Sequence, residues 1–109
     1  MLYQKSKIWT EIREKTIMNN FNEKLTTAVF TTKYVVEHNS PILYVYHFDD
    51  GSWQFSGAEA DLSEDDYRIV SLGEIFNIDP TVKVLGKMND GFEAFRSSLH
   101  ASWKIVSSN

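Results

Sequence analysis

Apolar positions along the chain recur at a helical period first and an alternating period afterwards. Over residues 3–17, Ile8 and Ile12 lie four apart with Trp9 beside them, and Glu11 stands four before Lys15 as a favourable surface pair. This predicts an amphipathic helix. Asn19-Asn20-Phe21-Asn22-Glu23 then interrupts the pattern with helix-poor, turn-prone residues. Residues 1–25 therefore read as a helix with its linker, and residues 26–109 as a single α+β domain.

The β-branched run over residues 26–32 predicts a strand, and residues 33–38 a helical turn or two, before Asn39-Ser40-Pro41 resets the chain. Over residues 42–48, Ile42, Tyr44, Tyr46 and Phe48 share one face while Leu43, Val45 and His47 share the other. A strand apolar on both faces belongs in the middle of a sheet. Asp49-Asp50-Gly51 supplies a hairpin turn, and the next strand puts Trp53 and Phe55 on one face with Gln54 on the other. The hairpin's aromatic side chains are expected to be used up in the core, where each large apolar group contributes ~1.5–3 kcal/mol.

An acidic loop spans residues 57–67, and Arg68-Ile69-Val70 predicts a further strand. Ser71-Leu72-Gly73-Glu74 has the form of a capping box, opening a short helix with Leu72, Ile75 and Phe76 inward. Asp79-Pro80 starts a second, with Val82, Val84 and Leu85 as its buried side. Phe92, Phe95, Leu99 and Trp103 recur at steps of three and four, which predicts a C-terminal helix. The expected fold is α+β: an antiparallel sheet of about four strands, an N-terminal helix, short helices after the sheet, and a C-terminal helix packed on it.

Composition narrows the function classes. The chain has 109 residues, 42% hydrophobic and 14% aromatic, enough for one core, and no cysteine, which removes disulfides and thiolate metal sites. The first residues lack the apolar segment of a signal peptide and no run approaches the ~20 apolar residues of a membrane span, so a cytoplasmic protein with no membrane partner is expected. Residues 1–25 carry five basic and three acidic groups; the remainder carries six basic and twelve acidic. Residues 49–66 hold seven carboxylates and no Lys or Arg, which speaks against nucleic acid and for a basic protein partner.

Groups able to carry catalysis are sparse. The three histidines, His38, His47 and His100, have no second histidine at ligand spacing, no Ser sits in a nucleophile elbow, and the five glycines match no phosphate loop. No metal, cofactor or catalytic group is expected. The carboxylates Glu59, Asp61, Glu64, Asp65 and Asp66 are the candidate partner-binding residues, weighed against a merely solvated loop and a calcium loop whose register they lack. Two alternatives stay open: a ligand or enzyme pocket near His47, Asp49 and Glu59, and a structural homodimer formed through the first helix.

Lys33-Tyr34-Val35, Pro41-Ile42, Gly51-x-Trp53-x-Phe55-x-Gly57-x-Glu59, Leu72, Ile75, Asp79-Pro80 and Gly91-Phe92-Glu93-Ala94-Phe95-Arg96 together resemble a family of small bacterial immunity-like proteins of otherwise unknown function, some encoded beside polymorphic toxins. The likeness leaves residues 1–25 outside. It implies a protein that binds and blocks a toxin without catalysis of its own.

Overall fold

The computed structural model describes residues 18–108, so the helix predicted over residues 3–17 lies outside the described residues. The fold is a six-stranded sheet: β1 (Ala28–Thr32), β2 (Tyr44–His47), β3 (Trp53–Ser56), β4 (Tyr67–Ser71), β5 (Phe92–Phe95) and β6 (Lys104–Ser107), in the order β4-β1-β3-β2-β5-β6. Among the described residues two short α-helices accompany it, α1 (Lys33–Glu37) and α2 (Leu72–Ile78), with 3-10 turns over Glu64–Asp66 and Pro80–Leu85.

This corrects the expected four-stranded antiparallel sheet in two ways. First, the sheet is mixed, because β1 and β3 run parallel with Phe30 opposite Gln54. A parallel neighbour needs a crossover. Here α1 and residues 38–43 carry the chain past β1, so β2 starts two places away and the hairpin returns β3 into the gap. Second, the predicted C-terminal helix does not exist. Phe92–Phe95 is a strand paired with β2, Tyr46 facing Glu93, and after a loop β6 pairs with it, Ala94 facing Ile105.

The buried cation Arg96 explains that second departure. Its five N–H donors are all taken: Nε and Nη2 by the Ile42 carbonyl at 3.1 and 2.9 Å, Nη2 by Asp79 Oδ2 at 2.6 Å, and Nη1 by Thr81 Oγ1 at 3.0 Å and the Leu99 carbonyl at 3.1 Å. The Trp103 ring caps it with its centroid 4.1 Å away. A loop wrapped round a guanidinium replaces the helix that the spacing of Phe95, Leu99 and Trp103 suggested. The outer edge of β2 also gains a partner it would otherwise lack.

The core lies on one face of the sheet. Val29, Val45, Trp53, Phe55 and Ala94 point into it and are at most 1% exposed. Leu72, Ile75 and Phe76 of α2, with Val82 and Leu85 of the 3-10 turn, complete it, while Val84 stays exposed. Ser71 Oγ accepts from the Glu74 amide at 3.1 Å and Asp79 Oδ1 from the Thr81 amide at 2.9 Å, the two caps that the sequence predicts. Phe21, in the segment read as linker, enters the same core with its ring 4.6 Å from Trp53 and 5.2 Å from Phe76.

Candidate functional site

Strand alternation sends Phe30, Tyr44, Tyr46, Phe48, Tyr67 and Ile69 to the face opposite the core. Phe30, Tyr44, Phe48 and Tyr67 remain 38–39% exposed there, and Ile69 68%. The hairpin's aromatic residues are therefore divided, in contrast to the expectation that all are consumed in the core: Trp53 and Phe55 are buried, whereas Tyr44, Tyr46 and Phe48 line the other surface.

Over part of this surface lies a groove of about 440 Å³, walled by Tyr44, Tyr46, Phe48 and Tyr67 on the sheet side and by residues 57–60 with Leu62 on the other. Its rings are close enough to interact. Tyr46 and Phe48 stack at 6.0 Å between centroids. The Tyr46 phenol is held above its ordinary value of 10.0, chiefly because burial disfavours the phenolate, and then because Glu93, Tyr44 and Tyr67 surround it.

Among the described residues Glu59 is the one charged group in the groove wall. Ser40 Oγ donates to its Oε2 at 2.7 Å, while Oε1 is buried and has no hydrogen-bond donor among the described residues. Gly57 makes room for this arrangement, since a Cβ there would stand 2.5 Å from Oε1 and 3.2 Å from the Pro41 carbonyl. The spacing Gly57-x-Glu59 thus has a steric reason. A carboxylate oxygen withdrawn from water without a donor is costly, and it marks a place where a positive group would be welcome.

The other predicted partner-binding residues separate into two kinds. Asp66 is structural: its Oδ2 accepts from the Ser63 amide at 2.9 Å, and its Oδ1 lies 3.1 Å from Lys33 Nζ. The first of these bonds, then the lysine, hold its carboxyl below the ordinary 3.8. Asp61, Glu64 and Asp65 are exposed along the loop that leads from the groove into β4, Asp61 at φ 55°. These three make a free acidic rim.

The residues of the alternative pocket do not come together. His47 lies on the covered side, its ring stacked 3.8 Å from that of Trp53, with Nδ1 2.7 Å from the Met88 carbonyl and Nε2 3.0 Å from Asp90 Oδ1. Asp49 is exposed in the hairpin turn, and Glu59 is across the sheet in the groove wall. Sequence reading missed Asp90 and also Glu23, which accepts from Trp53 Nε1 at 2.7 Å, because both partners are far off in the chain. His47, Glu23 and Asp90 line an open cleft of about 610 Å³ with their polar atoms paired as described.

No protein-family model, curated protein or solved structure matches the chain. The site is defined by its own geometry: an aromatic groove with one under-compensated carboxylate, edged by free acids. Among the described residues no group of His, Asp and Glu is arranged to hold a metal ion, and no helix is long and apolar enough to cross a membrane.

Proposed function

We propose that the protein is a non-catalytic binding module for a basic protein, and that it docks its partner on the open face of the sheet rather than on the acidic loop alone. The observation that carries this reading is the set of exposed aromatic and aliphatic side chains, Phe30, Tyr44, Phe48, Tyr67 and Ile69, on the face of the sheet opposite the core. Contiguous apolar surface rimmed by polar groups is typical of interaction sites. Tyrosines suit such a site because one end is apolar and the other wet.

Charge supports the choice of partner. Residues 49–66 supply carboxylates without a basic residue, so a basic partner would be steered to this side, with a salt dependence set by a screening length of ~8 Å. In the immunity role that the sequence resemblance implies, that partner is a toxin and the bound state blocks it.

Affinity capture from the organism's own extract, with Tyr67→Lys and Ile69→Lys variants in parallel, tests the reading. A basic protein retained by the wild type, released by high salt and absent from both variants is the expected result. Retention by the variants at wild-type strength removes the open face from the proposal. Co-expression carries the immunity role further, since relief of the partner's toxicity by this chain is required of it.

A further inference from the structure

Resting on that binding role, we infer that the groove is a seat for one arginine side chain of the partner, its guanidinium lying against the rings of Tyr44, Tyr46 and Tyr67 with Glu59 as counter-charge. Three independent features of the groove converge on this chemistry.

The first is the state of Glu59. Its Oε2 is engaged by Ser40, its Oε1 is buried without a donor among the described residues, and none of the described residues lining the groove is basic. The fold has withdrawn one oxygen of this carboxylate from water and given it no donor among the described residues. A cation entering the groove supplies one, and a neutral ligand leaves the charge uncompensated.

The second is the ring arrangement. Aromatic faces attract cations held within ~6 Å of the centroid, and the attraction grows when water is excluded. Tyr44, Tyr46 and Tyr67 line the same groove and Tyr46 is partly desolvated, so a cation seated there has several rings beside it. A planar guanidinium stacks on such rings, whereas a compact ammonium keeps more of its hydration.

The third is shape and lining. About 440 Å³ is room for a long side chain rather than a bare ion, and Ala58, Ala60 and Leu62 offer an apolar flank to its methylene stem. Gln54, whose Nε2 donates to Ser56 Oγ at 2.9 Å, also lines the groove and brings a carbonyl acceptor for the remaining N–H groups.

The test is an NMR titration of the full chain with Nα-acetyl-arginine methylamide, with the neutral citrulline and the lysine analogues as separate arms. The expected result is saturable shifts at Tyr44, Gln54, Glu59 and Ala60 with arginine at about millimolar concentration, the range open to a ligand this small. Binding of the same probe to Glu59→Gln should be weaker by about tenfold or more, as loss of a charge-assisted hydrogen bond requires. Tyr67→Ala, which alters an exposed ring, should weaken it less. Equal binding of citrulline, equal binding of lysine, unchanged binding to Glu59→Gln, or unsaturable shifts spread over Asp49, Asp50, Asp61 and Glu64 would each overturn the assignment. If arginine fails to bind while a basic protein is still captured through Tyr67 and Ile69, the seat is lost and the binding module stands. Arginine binding without any capture gives the reverse.

Discussion

The two faces of this sheet are built from the same strands, yet they hold different kinds of side chain. On β2, Val45 is fully buried while its neighbour Tyr44 is 39% exposed; on β3, Phe55 is fully buried while Gln54 lines a groove. The covered face is made of Val, Ala, Thr, Trp and Phe with His47 at its edge, and polar atoms there are paired internally, as when Thr31 Oγ1 donates to the Phe55 carbonyl at 2.7 Å. The open face is made of tyrosines, with Phe30, Phe48 and Ile69 among them. A strand that is apolar on both sides therefore need not be buried on both. Where one of its apolar faces carries hydroxylated rings, that face is suited to contact with another molecule.

The largest effects should fall on the covered face. Trp53→Ala removes a fully buried indole that packs on Phe21, His47 and Phe55, and should cost about 3–5 kcal/mol in urea unfolding. Tyr46→Ala, on the same hairpin but facing the groove, should cost no more than about 1–2 kcal/mol. Equal losses would mean that the two faces do not differ in the way described. Of similar size is Arg96→Met, which strands the Asp79 carboxylate in a site where the paired side chains are only 2% and 7% exposed. Breaking one half of a buried pair costs about 3–5 kcal/mol, and here it also frees the loop that leads into β6. Arg96→Met combined with Asp79→Asn should recover part of the loss, which urea midpoints of the two variants will show.

Local signals of the fold were legible in the chain because their causes are local. Ser71 and Asp79 cap the helical turns that begin beside them, Gly51 turns the hairpin at φ 87°, and the β-branched run ending at Thr32 is β1. The misread segment failed where a distant group decides. Phe92 and Phe95 are three apart, which suits a helix face, but in β5 they point to opposite sides of the sheet, and pairing with β2 settles the matter. Nothing between residues 92 and 103 announces that Arg96 will be buried against Ile42 and Asp79. Glu59 was legible as a candidate, but not its orphan oxygen, which depends on Ser40 and Gly57 closing round it. Sequence alternation could identify two apolar faces; it could not tell which one α2 and Phe21 would cover.

On the open face the expected effects exchange places, small on stability and large on binding. Tyr67→Lys and Ile69→Lys alter side chains that are 39% and 68% exposed, so unfolding free energies from urea titration should shift by no more than about 0.5–1 kcal/mol. Partner capture should nevertheless be lost, because a lysine placed on this face repels a basic protein and interrupts the apolar row. Val106→Lys is the informative control. Val106 faces the same side from the far edge strand β6 and is 41% exposed, so capture that survives there but fails at residues 67 and 69 locates the contact at the groove end of the sheet.

The smallest effect concerns the rim, where Asp66 ties residues 63–66 to α1 through Lys33. Its carboxyl is depressed below 3.8, first by the Ser63 amide and then by Lys33, so the stabilisation it gives is fully present above that unfolded value and fades as pH falls through the lower folded one. Asp66→Asn should therefore lower the neutral plateau slightly and remove the matching part of the acid limb, so that the variant and wild-type curves converge well below about pH 4. Hydrogen exchange at Ser63 and Asp66 should rise, while Val45 and Phe55 on the covered face keep their protection. Faster exchange across both faces would mean that the rim and core unfold as one unit, and the division between a rigid covered side and a separately adjustable binding side would have to be given up.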